Sequence, residues 1–399
     1  MAGDPEHRGA RLLVLGAGPA QLGLLAAARA RGLYVIAVDR DPSAPGFVFA
    51  DRRAIVSTED ERGIDRLARA ERIDAVIAPG IDFPVAIAAR VADGLGLPHP
   101  LSPATAVLAT NKQRQRERLA EGGVPQPRSR VLDAGEPVEV PCVVKAPDRQ
   151  GQRGLTLVRE RSELSAAIKA ARAASRSGHV LVEELVDGPE VTVNAFSVGG
   201  EFHPLTATDR LTAEPPAFGV ALAHVWPASH EPVELAQRAA EALGITDGPT
   251  YTQIRVGRDG PRLIEVAARL GGGHDAELCE AVTGVDLNGL ALSAALGEEI
   301  DPKRLRIRRK AGGACVRFLV APEGELAGVT GLAEAEAVDG VRWARIYRQP
   351  GHRFGPLRIG PDRAGAVLAV GGSRDGALAN AEDAASRIRF DVVDAGVVI

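Results

Sequence analysis

The sequence has few cysteines and no excess of either charge. Its three cysteines, Cys142, Cys279 and Cys315, lie far apart without a CxxC pair, which argues against a disulfide framework and a zinc knot. The 48 basic and 52 acidic residues give a formal net charge of −4, so no global field attracts the chain to nucleic acid or to a lipid surface. Any anion that the protein binds must therefore be held by a local group of residues.

Long apolar runs and clustered histidines are also missing. No apolar stretch approaches the length of a membrane span, and the eight histidines form no HxH or HExxH pattern, which argues against a zinc site. The first ten residues are polar and lack the apolar centre of a signal peptide. With 45% hydrophobic and 25% charged residues, the chain is typical of a globular protein of two or three domains, which we expect in the cytoplasm.

The order of the predicted elements divides the chain into three parts. Short apolar strands alternate with Ala- and Arg-rich helices over 1–110, which predicts a small doubly wound α/β domain. Over 111–300 the strands arrive in hairpin-like runs with helices between them, which is an α+β pattern. A third, smaller α+β region follows over 301–399.

The glycine loop "LGAGPAQLG" follows the first predicted strand and opens a helix. With Asp39 at the end of the next strand, it superficially matches a dinucleotide-binding fingerprint. Gln21, however, occupies the position of the third glycine, where a bulky residue prevents the close approach to a pyrophosphate. A structural strand-to-helix turn and a ligand-binding loop both fit, and a nicotinamide dehydrogenase becomes the less favoured hypothesis.

Two lysines and a second glycine loop carry a stronger signal. Lys145 lies inside the apolar strand "PCVVKAP", where a desolvated ammonium group needs an anionic partner unless it reaches water at a sheet edge. The segment "DRQGQRG" follows it, with Gly151, Arg153 and Gly154. A flexible basic hairpin of this kind can cover phosphate groups, together with Lys145 and with Lys112 at the start of a helix. An ordinary surface hairpin is the alternative.

The next predicted strand, in "HVLVEELVDGPE", ends in two acids. Glu183 and Glu184 precede the turn at 187–189, and Glu190 enters the following strand. A strand that stops at a polar bend offers backbone groups to an adenine edge, and a nearby carboxylate can accept hydrogen bonds from ribose. Solvated acids beside a turn are the alternative, which we favour for Glu184.

The stretch "RLIEVAARLGGGH" places a carboxylate, a guanidinium and three glycines close together. Gln253 and Glu265 lie on predicted strands joined by the turn "GRDGP", so they can face each other across a hairpin and supply two oxygen ligands to Mg²⁺. Arg269 can reach a transferred phosphoryl group. The glycines Gly271, Gly272 and Gly273 let a substrate lie against bare backbone.

Taken in order, these motifs resemble the ATP-grasp superfamily, and specifically its carboxylate–amine ligases, which include amino-acid ligases, carbamoyl phosphate synthase and biotin carboxylase. The resemblance covers nearly the whole chain. It implies a Rossmann-like N-terminal domain, a central ATP-grasp fold and a C-terminal α+β domain, with ATP and Mg²⁺ as cofactors. Each motif is weak alone, but five in order are specific.

The resemblance also implies roles for individual residues. The implied ATP-binding residues are Lys112, Lys145, Gly151, Arg153, Gly154, Glu183, Val186 and Glu190. Gln253 and Glu265 are the implied metal ligands, and Arg269 with Lys145 the catalytic residues. The position that is often a second-metal Asn is here Ala267, which leaves one ligand missing or supplied by water. The reaction implied is formation of an acyl phosphate from a substrate carboxylate, followed by its condensation with an amine.

Substrate contacts are placed more loosely. Asp209 and Arg210 resemble a segment that lines the acceptor pocket, although an ordinary loop is equally consistent, and Asp82 faces the same cleft in the family. With the three glycines, His274 is a candidate for substrate contact, but a solvated histidine at a helix start fits better.

Other functions stay open at this stage. One is a bicarbonate-using enzyme of the purine-pathway type, which requires a pocket for a ribotide phosphate, and the sequence shows no extra basic cluster for one. The other is an ATP-binding regulator without catalysis, for which Gln253 and Ala267 are the only arguments. We expect small-molecule substrates and neither nucleic acid nor membrane as partners. A homodimer is compatible with the resemblance.

Overall fold

The computed structural model describes residues 9–132 and 137–393. Residues 1–8, on which the absence of a signal peptide partly rests, lie outside this part of the chain. Within the described ranges, none of the helices has the length and apolar character needed to cross a bilayer.

The N-terminal part is built around a parallel four-stranded sheet. Its strands are β1 (Arg11–Leu15), β2 (Tyr34–Asp39), β3 (Arg52–Ile55) and β4 (Ala75–Ile77), in the order β3-β2-β1-β4. The helices are α1 (Leu22–Ala30), α2 (Glu61–Glu71), α3 (Phe83–Leu95) and α4 (Pro103–Ala109). Leu12, Val14 and Val35 are fully buried on one sheet face, and Leu13 and Ile36 on the other. This apolar character of both faces is typical of parallel strands covered by helices.

The next part forms a small antiparallel sheet that carries the second glycine loop. Its elements are α5 (Lys112–Glu121), β5 (Ser129–Val131), β6 (Cys142–Lys145), β7 (Thr156–Val158), α6 (Leu164–Ala174) and β8 (Leu181–Glu184), with the strand order β5-β8-β6-β7. Helix α5 begins at the predicted position because the Asn111 side chain accepts a hydrogen bond from the Arg114 amide at its N-terminus. Strands β6 and β7 form the predicted hairpin, and the loop 146–155 joins them.

A large antiparallel sheet forms the floor of the molecule. Its first part contains β9 (Glu190–Val198), β10 (Glu201–Thr212), β11 (Ala221–Trp226), β12 (Gly248–Gly257) and β13 (Gly260–Ala267), with helices α7 (Val233–Leu243), α8 (Asp275–Thr283) and α9 (Leu287–Ala295). Val191, Ile254 and Leu263 of this sheet share one hydrophobic core with Leu13 and Ile36. The N-terminal part and the large sheet are therefore packed together through common apolar contacts.

The C-terminal strands extend this same sheet. The elements are β14 (Gly313–Leu319), β15 (Gly324–Thr330), α10 (Leu332–Glu336), β16 (Val341–Ile346), β17 (Arg353–Phe354), β18 (Gly365–Gly371), α11 (Arg374–Arg387) and β19 (Arg389–Val393). Strand β14 pairs with β11, which gives the order β13-β12-β9-β10-β11-β14-β18-β16, while β17-β15-β19 form a separate small sheet. The predicted division at 300/301 thus separates strands that are hydrogen-bonded neighbours.

Candidate active site

A cavity of about 430 Å³ opens where the three parts of the chain meet. Loops after the N-terminal strands, the glycine loop between β6 and β7, the large sheet and the C-terminal segment each form one wall. The predicted site residues that line it are Asp82, Gly151, Arg153, Arg210, Gln253, Glu265, Arg269, Gly272 and Gly273. The fold therefore brings together residues that the sequence separates by almost two hundred positions.

The cross-strand pair of Gln253 and Glu265 forms as predicted. The two residues are register partners on β12 and β13, and both line the cavity. The Lys112 ammonium group donates to Glu265 Oε1 at 2.7 Å and to the Arg149 carbonyl at 2.9 Å. Burial by itself raises the pKa of Glu265, but the hydrogen bond from Lys112 and the charges of Lys112, Lys145 and Arg269 together lower it. Glu265 is therefore ionised and able to act as a ligand for a cation.

This pair fits a magnesium ion that also binds phosphate oxygens. One carboxylate side chain and one amide side chain line the cavity, and Ala267, the register partner of Tyr251, adds no ligand atom. Among the described residues, no group of three or more His, Cys, Asp or Glu side chains could hold a metal by itself. The donor set suits Mg²⁺, which usually takes one or two protein ligands and completes its shell with phosphate and water.

Lys145 belongs to a buried ionic group on the small sheet. Its ammonium group lies 2.7 Å from Glu183 Oε2, and Arg116 Nε donates to the other carboxylate oxygen at 2.7 Å. Burial lowers the pKa of Lys145 to about 8, despite the charge of Glu183. Burial raises the pKa of Glu183, but Arg116 and Lys145 outweigh this effect and lower it to about 2. Lys145 is thus charged at neutral pH and close to titration.

Glu183, which the resemblance places at adenine, has a structural task here. Its side chain is 4% exposed, and both of its oxygens are used by the two cations. Arg116 also donates to the carbonyl groups of Leu263 and Ile264, so the triad joins the small sheet to β13. Glu184, in contrast, pairs with Arg128 at the surface, as the solvated interpretation predicted.

The glycine loop is held by contacts at both of its sides. Gly154 has φ +68°, and a Cβ atom there would lie 2.6 Å from Ala174, so only glycine fits without a shift. Asp148 accepts hydrogen bonds from the Arg176 and Ser177 amides. Glu59 of the N-terminal part lies within ion-pair distance of both Arg149 and Arg176. The loop is therefore tied to the opposite wall of the cavity.

A second ionic group surrounds Glu190 at the start of β9. Arg210 Nη1 donates to Glu190 Oε1 at 2.6 Å, and Arg255 lies 3.2 Å from the other oxygen. Arg255 also donates to the Val186 carbonyl at 3.3 Å. The arginines fix the carboxylate at the position where the resemblance places a ribose.

Arg269 and Asp82 form an ion pair across the cavity. Arg269 Nη2 lies 2.6 Å from Asp82 Oδ1, and the other oxygen of Asp82 is buried without a hydrogen-bond partner. The ring of Tyr251 lies 5.2 Å from the guanidinium carbon. The bare backbone of Gly272 faces the carbonyl of Gly80, which is 3.1 Å from the position of a Cβ atom. The glycine run thus lets the segment after β13 approach the N-terminal part closely.

Two of the predicted substrate residues point elsewhere. Asp209 alternates with Arg210 on β10 and lies on the face away from the cavity, where it accepts hydrogen bonds from Ser229 and Arg374. His274 is only 3% exposed, so the prediction of a solvated histidine is wrong. It packs against Trp343, and its Nε2 lies 2.6 Å from the Tyr347 hydroxyl group. Neither side chain lines the cavity.

The first glycine loop also faces the cavity, through residues 18–21. Gln21 is 1% exposed, and its Nε2 donates to the Pro79 carbonyl at 2.6 Å. A Cβ atom at Gly16 would lie 2.9 Å from this side chain. Gln21 therefore fills the space next to the glycine, which supports the interpretation as a structural turn.

Sequence reasoning missed several residues of the cavity wall. His224 interrupts the apolar strand β11 and lies 2.9 Å from Asp275, and both are almost fully buried. Burial raises the pKa of Asp275, but His224 and the hydrogen bonds from Gly273 and Asn194 together lower it to about 2. A polar residue in "ALAHVW" is the same signal that singled out Lys145, so His224 could have been found. Tyr347 and Arg363 carry no comparable local signal.

Comparison with known proteins agrees with this architecture. Residues 138–277 match an ATP-grasp domain, and residues 317–393 match the L-amino acid ligase C-terminal domain 2. An uncharacterized protein, y4rH of Sinorhizobium fredii, is 30% identical over 88% of this chain and 76% of its own length. A formate-dependent phosphoribosylglycinamide formyltransferase of Burkholderia lata is 27% identical over 95% of both chains.

Solved structures share the fold over the whole chain. An L-amino acid ligase from Bacillus licheniformis superposes with a TM-score of 0.82 at 22% identity and covers 97% of this chain and 100% of its own. An N5-carboxyaminoimidazole ribonucleotide synthetase from Thermotoga maritima has a TM-score of 0.74 at 21% identity and covers 96% and 100%. These likenesses confirm the predicted fold class, a mixed α/β architecture with a central ATP-grasp fold.

The chain belongs to the ATP-grasp superfamily of carboxylate–amine ligases. It is an ADP-forming enzyme that makes a C–N bond, with ATP and Mg²⁺ as cofactors and small molecules as substrates. The predicted family and reaction class are therefore confirmed.

Proposed function

We propose that the protein joins the carboxylate of an amino acid or small acid to an amine, and that the product is an amide or peptide bond. The L-amino acid ligase C-terminal domain match and the cavity between three parts of the chain support this choice of substrates. The residue roles below are part of the proposal.

The small sheet and the glycine loop hold ATP. Lys112 and Lys145 bind the α and β phosphates, and the loop with Gly151, Arg153 and Gly154 covers the triphosphate. The burial of Lys145 supports its role, because an ammonium group in a site of low dielectric interacts more strongly with phosphate than one in water. Adenine then lies beside the β8 end near Val186, and ribose beside Glu190.

Gln253 and Glu265 hold Mg²⁺ at the phosphate end of the site. The ion supplies charge neutralisation for the triphosphate and orients it. Lys112 donates a hydrogen bond to Glu265 in the structure. The same ammonium group is therefore close enough to the metal ligand to bind a phosphate oxygen when the nucleotide enters.

Arg269 binds the reacting groups next to the metal ligands Gln253 and Glu265. A carboxylate oxygen of the substrate attacks the γ-phosphorus, the bond to the β–γ bridging oxygen breaks, and ADP leaves. Arg269 stabilises the negative charge on the transferred phosphoryl group and on the acyl phosphate. Asp82 orients the guanidinium group through the ion pair at 2.6 Å.

The amine then attacks the acyl carbon, and phosphate leaves as the amine loses a proton. Gly272 and Gly273 leave room for the substrate along the backbone, and Arg210 lines the same space, whereas the space beside Gly271 is filled by the Asp275 side chain. The glycine loop, tied to Glu59, keeps water from the acyl phosphate. Asp209 and His274 lie outside the cavity and do not contact the substrate. Asp209 accepts a hydrogen bond from Arg374, and His274 is hydrogen-bonded to the Tyr347 hydroxyl group.

One observation carries the proposal. Gln253, Glu265 and Arg269 line a single cavity with the phosphate-covering loop on one side and bare glycine backbone on the other. This arrangement supplies a metal site, a phosphoryl-binding cation and space for an acyl group next to each other, which the two half-reactions require.

The test is ADP and phosphate release from Mg·ATP with carboxylates and amines, supplied singly and in pairs, with mass spectrometry of the products. We expect release that depends on a specific pair and a product lighter than the two substrates by one water. Lys145→Ala is the control for turnover at this site. Nucleotide hydrolysis that no carboxylate stimulates contradicts the proposal.

A formylating or carboxylating reaction on a ribonucleotide amine is the second candidate, because the Burkholderia lata relative is by its name a formate-dependent formyltransferase of a phosphoribosyl substrate and matches 95% of this chain. Turnover that requires bicarbonate or formate together with a ribonucleotide amine distinguishes it. We further propose a cytoplasmic location. We also propose that the protein forms a homodimer, and analytical ultracentrifugation tests this assembly directly.

A further inference from the structure

Two exposed segments of the C-terminal part carry charge of a single sign, and both lie outside the cavity. Residues 303–310, which we call the basic strip, contain six lysines and arginines and no acid. Residues 320–339, which we call the acidic segment, contain five acids and no lysine or arginine. The whole chain has 48 basic and 52 acidic residues, so neither composition follows from the average.

The basic strip is exposed, and its backbone is bound to the end of helix α8. All six of its cationic residues are exposed, while Leu305 between them is buried and anchors the segment. The Arg308 and Lys310 amides donate to the Thr283 and Val282 carbonyls, both at 2.7 Å. The negative end of a helix favours a cation beside its last turn. Six exposed cations exceed what this local effect explains.

The cations of the basic strip have no carboxylate partners within the chain. In the part of the chain that the structure describes, none of the six forms an ion pair, and Glu298 just before the strip is already paired with Arg31. Arg306 and Arg308 also form no side-chain hydrogen bond with another described residue. The positive charge of the strip is therefore left unbalanced at the surface.

The acidic segment is equally exposed. Each of its five acids is exposed, and none forms an ion pair with a described residue. They are Glu323, Glu325, Glu334, Glu336 and Asp339. Glu325 has Arg353 as its cross-strand neighbour on β17, whereas Glu334 and Glu336 lie on the short helix α10. The charge of Glu334 reaches Arg387, but this arginine is paired with Asp383.

Strand β14 (Gly313–Leu319) separates the two segments. The basic strip precedes this strand, and the acidic segment begins directly after it. A strand of 7 residues is about 23 Å long, so opposite charges lie about that distance apart at the two ends of β14. Two copies related by a two-fold axis, with their β14 strands antiparallel, place each basic strip opposite the acidic segment of the other copy.

Each segment also exposes one large apolar side chain. Ile307 in the basic strip is 54% exposed, and Val320 at the start of the acidic segment is 45% exposed. Protein interfaces combine apolar contacts at their centre with a charged and polar rim. Nucleic acid fits this surface less well than a second copy does, because the acidic segment repels its phosphates.

We infer that the basic strip of one copy binds the acidic segment of a second copy of this chain, in both directions across a two-fold axis. The inference rests on the proposed homodimer and names the surface that forms it. Exposed ion pairs are individually weak, so the contact depends on several of them together and on the ionic strength.

Analytical ultracentrifugation over a range of protein concentrations measures the dissociation constant of the dimer. We expect this constant to rise at least tenfold between about 50 mM and about 500 mM NaCl, because salt screens exposed charges. At the lower salt concentration, Arg306→Glu with Arg308→Glu should also raise it at least tenfold. The control is Arg62→Glu with Arg66→Glu, which changes the net charge equally on exposed residues of α2 and should alter the constant less than threefold.

Mixing two charge-reversed variants separates a contact between copies from damage to the fold. Glu334→Lys with Glu336→Lys should weaken the dimer at least tenfold when present alone. An equimolar mixture of this variant with the basic-strip variant should form a heterodimer that is tighter than the self-association of either, because each reversed surface then meets the opposite charge. Unchanged thermal unfolding midpoints show that the variants are folded.

The possible failures are distinguishable. An unaltered protein that is monomeric at low salt refutes both the homodimer and the surface assigned to it. A dimer whose dissociation constant is the same in the charge-reversed variants and in the control overturns the assigned surface alone, and so does a mixture that forms no heterodimer. A failure of ligase activity leaves the sedimentation result intact.

Discussion

Replacing Glu183 with glutamine removes the negative charge between Lys145 and Arg116 and nearly preserves the shape of the side chain. Both cations then lie buried without a counter-charge. Breaking a buried ion pair by removing one partner costs about 3–5 kcal/mol. The pKa of Glu183, lowered from 4.5 to about 2, gives a similar figure of about 3 kcal/mol, since each pKa unit corresponds to about 1.36 kcal/mol.

Glu184→Gln is the matched control on the adjacent residue. Its partner Arg128 has 85% of its side chain exposed, and an exposed pair contributes only about 0–1 kcal/mol. The free energy of opening of β6 and β8 is read from native-state hydrogen exchange of their amides. We expect a loss of about 3–5 kcal/mol for Glu183→Gln and less than about 1 kcal/mol for Glu184→Gln.

The pH dependence gives a second, independent measure. Because the pKa of Glu183 is lowered in the folded state, its ionisation stabilises the fold fully above pH 4.5, and this stabilisation is lost as the pH falls from 4.5 toward 2. Glu183→Gln should remove this part of the acid sensitivity. Equal losses in the two variants, or a loss below about 1 kcal/mol for Glu183→Gln, would refute the reasoning about buried charge.

Three further predictions concern the nucleotide end of the cavity. Lys145 is charged below its pKa of about 8, so kcat/KM for ATP should fall above pH 8, and Lys145→Arg should remove this limb of the profile. Glu59→Gln should raise the KM for ATP about threefold to tenfold, because Arg149 of the glycine loop loses its ion pair with the N-terminal wall. A KM unchanged within error would mean that this ion pair does not hold the loop. Gln253→Glu should lower the Mg²⁺ concentration that gives half-maximal turnover, since a carboxylate is a stronger ligand than an amide. Chelation with EDTA should abolish turnover in both proteins. An unchanged Mg²⁺ dependence would mean that residue 253 is not a metal ligand.

Local pattern predicted the parts of the site that lie within one hairpin or one strand. Gln253 and Glu265 could be assigned to one hairpin because a short turn joins their strands, whereas the β-bulge between Gln253 and Ile254 that brings the two residues opposite each other had no local signal. Lys145 was recognisable because an ammonium group inside an apolar strand requires a partner. The predicted start of α5 at Lys112 rests on a capping residue, which is also a local signal.

Other parts depend on packing between distant segments and could not be predicted in this way. Asp209 and Arg210 are adjacent, and only the register of β10 decides which of them faces the cavity. The position of His274 follows from the packing of α8 against β16 residue Trp343. Arg348 and Arg363 reach the cavity because β14 pairs with β11, and no short-range pattern encodes that pairing.

Because β14 pairs with β11, the nucleotide side and the C-terminal side of the cavity are built from different segments of the chain. In the proposed function, residues 112–190 and the 253–265 hairpin bind the nucleotide, while the 347–363 segment forms a separate wall beside strands added at the far edge of the sheet. The Gly360 amide of that segment donates to the Gly151 carbonyl of the glycine loop at 3.4 Å, so we expect only changes that keep this contact to leave the nucleotide end unaltered. New substrate preferences can thus evolve through substitutions in this segment while the ATP site is kept. A directed-evolution library concentrated on 347–363 should yield variants with altered substrate specificity and unchanged affinity for ATP.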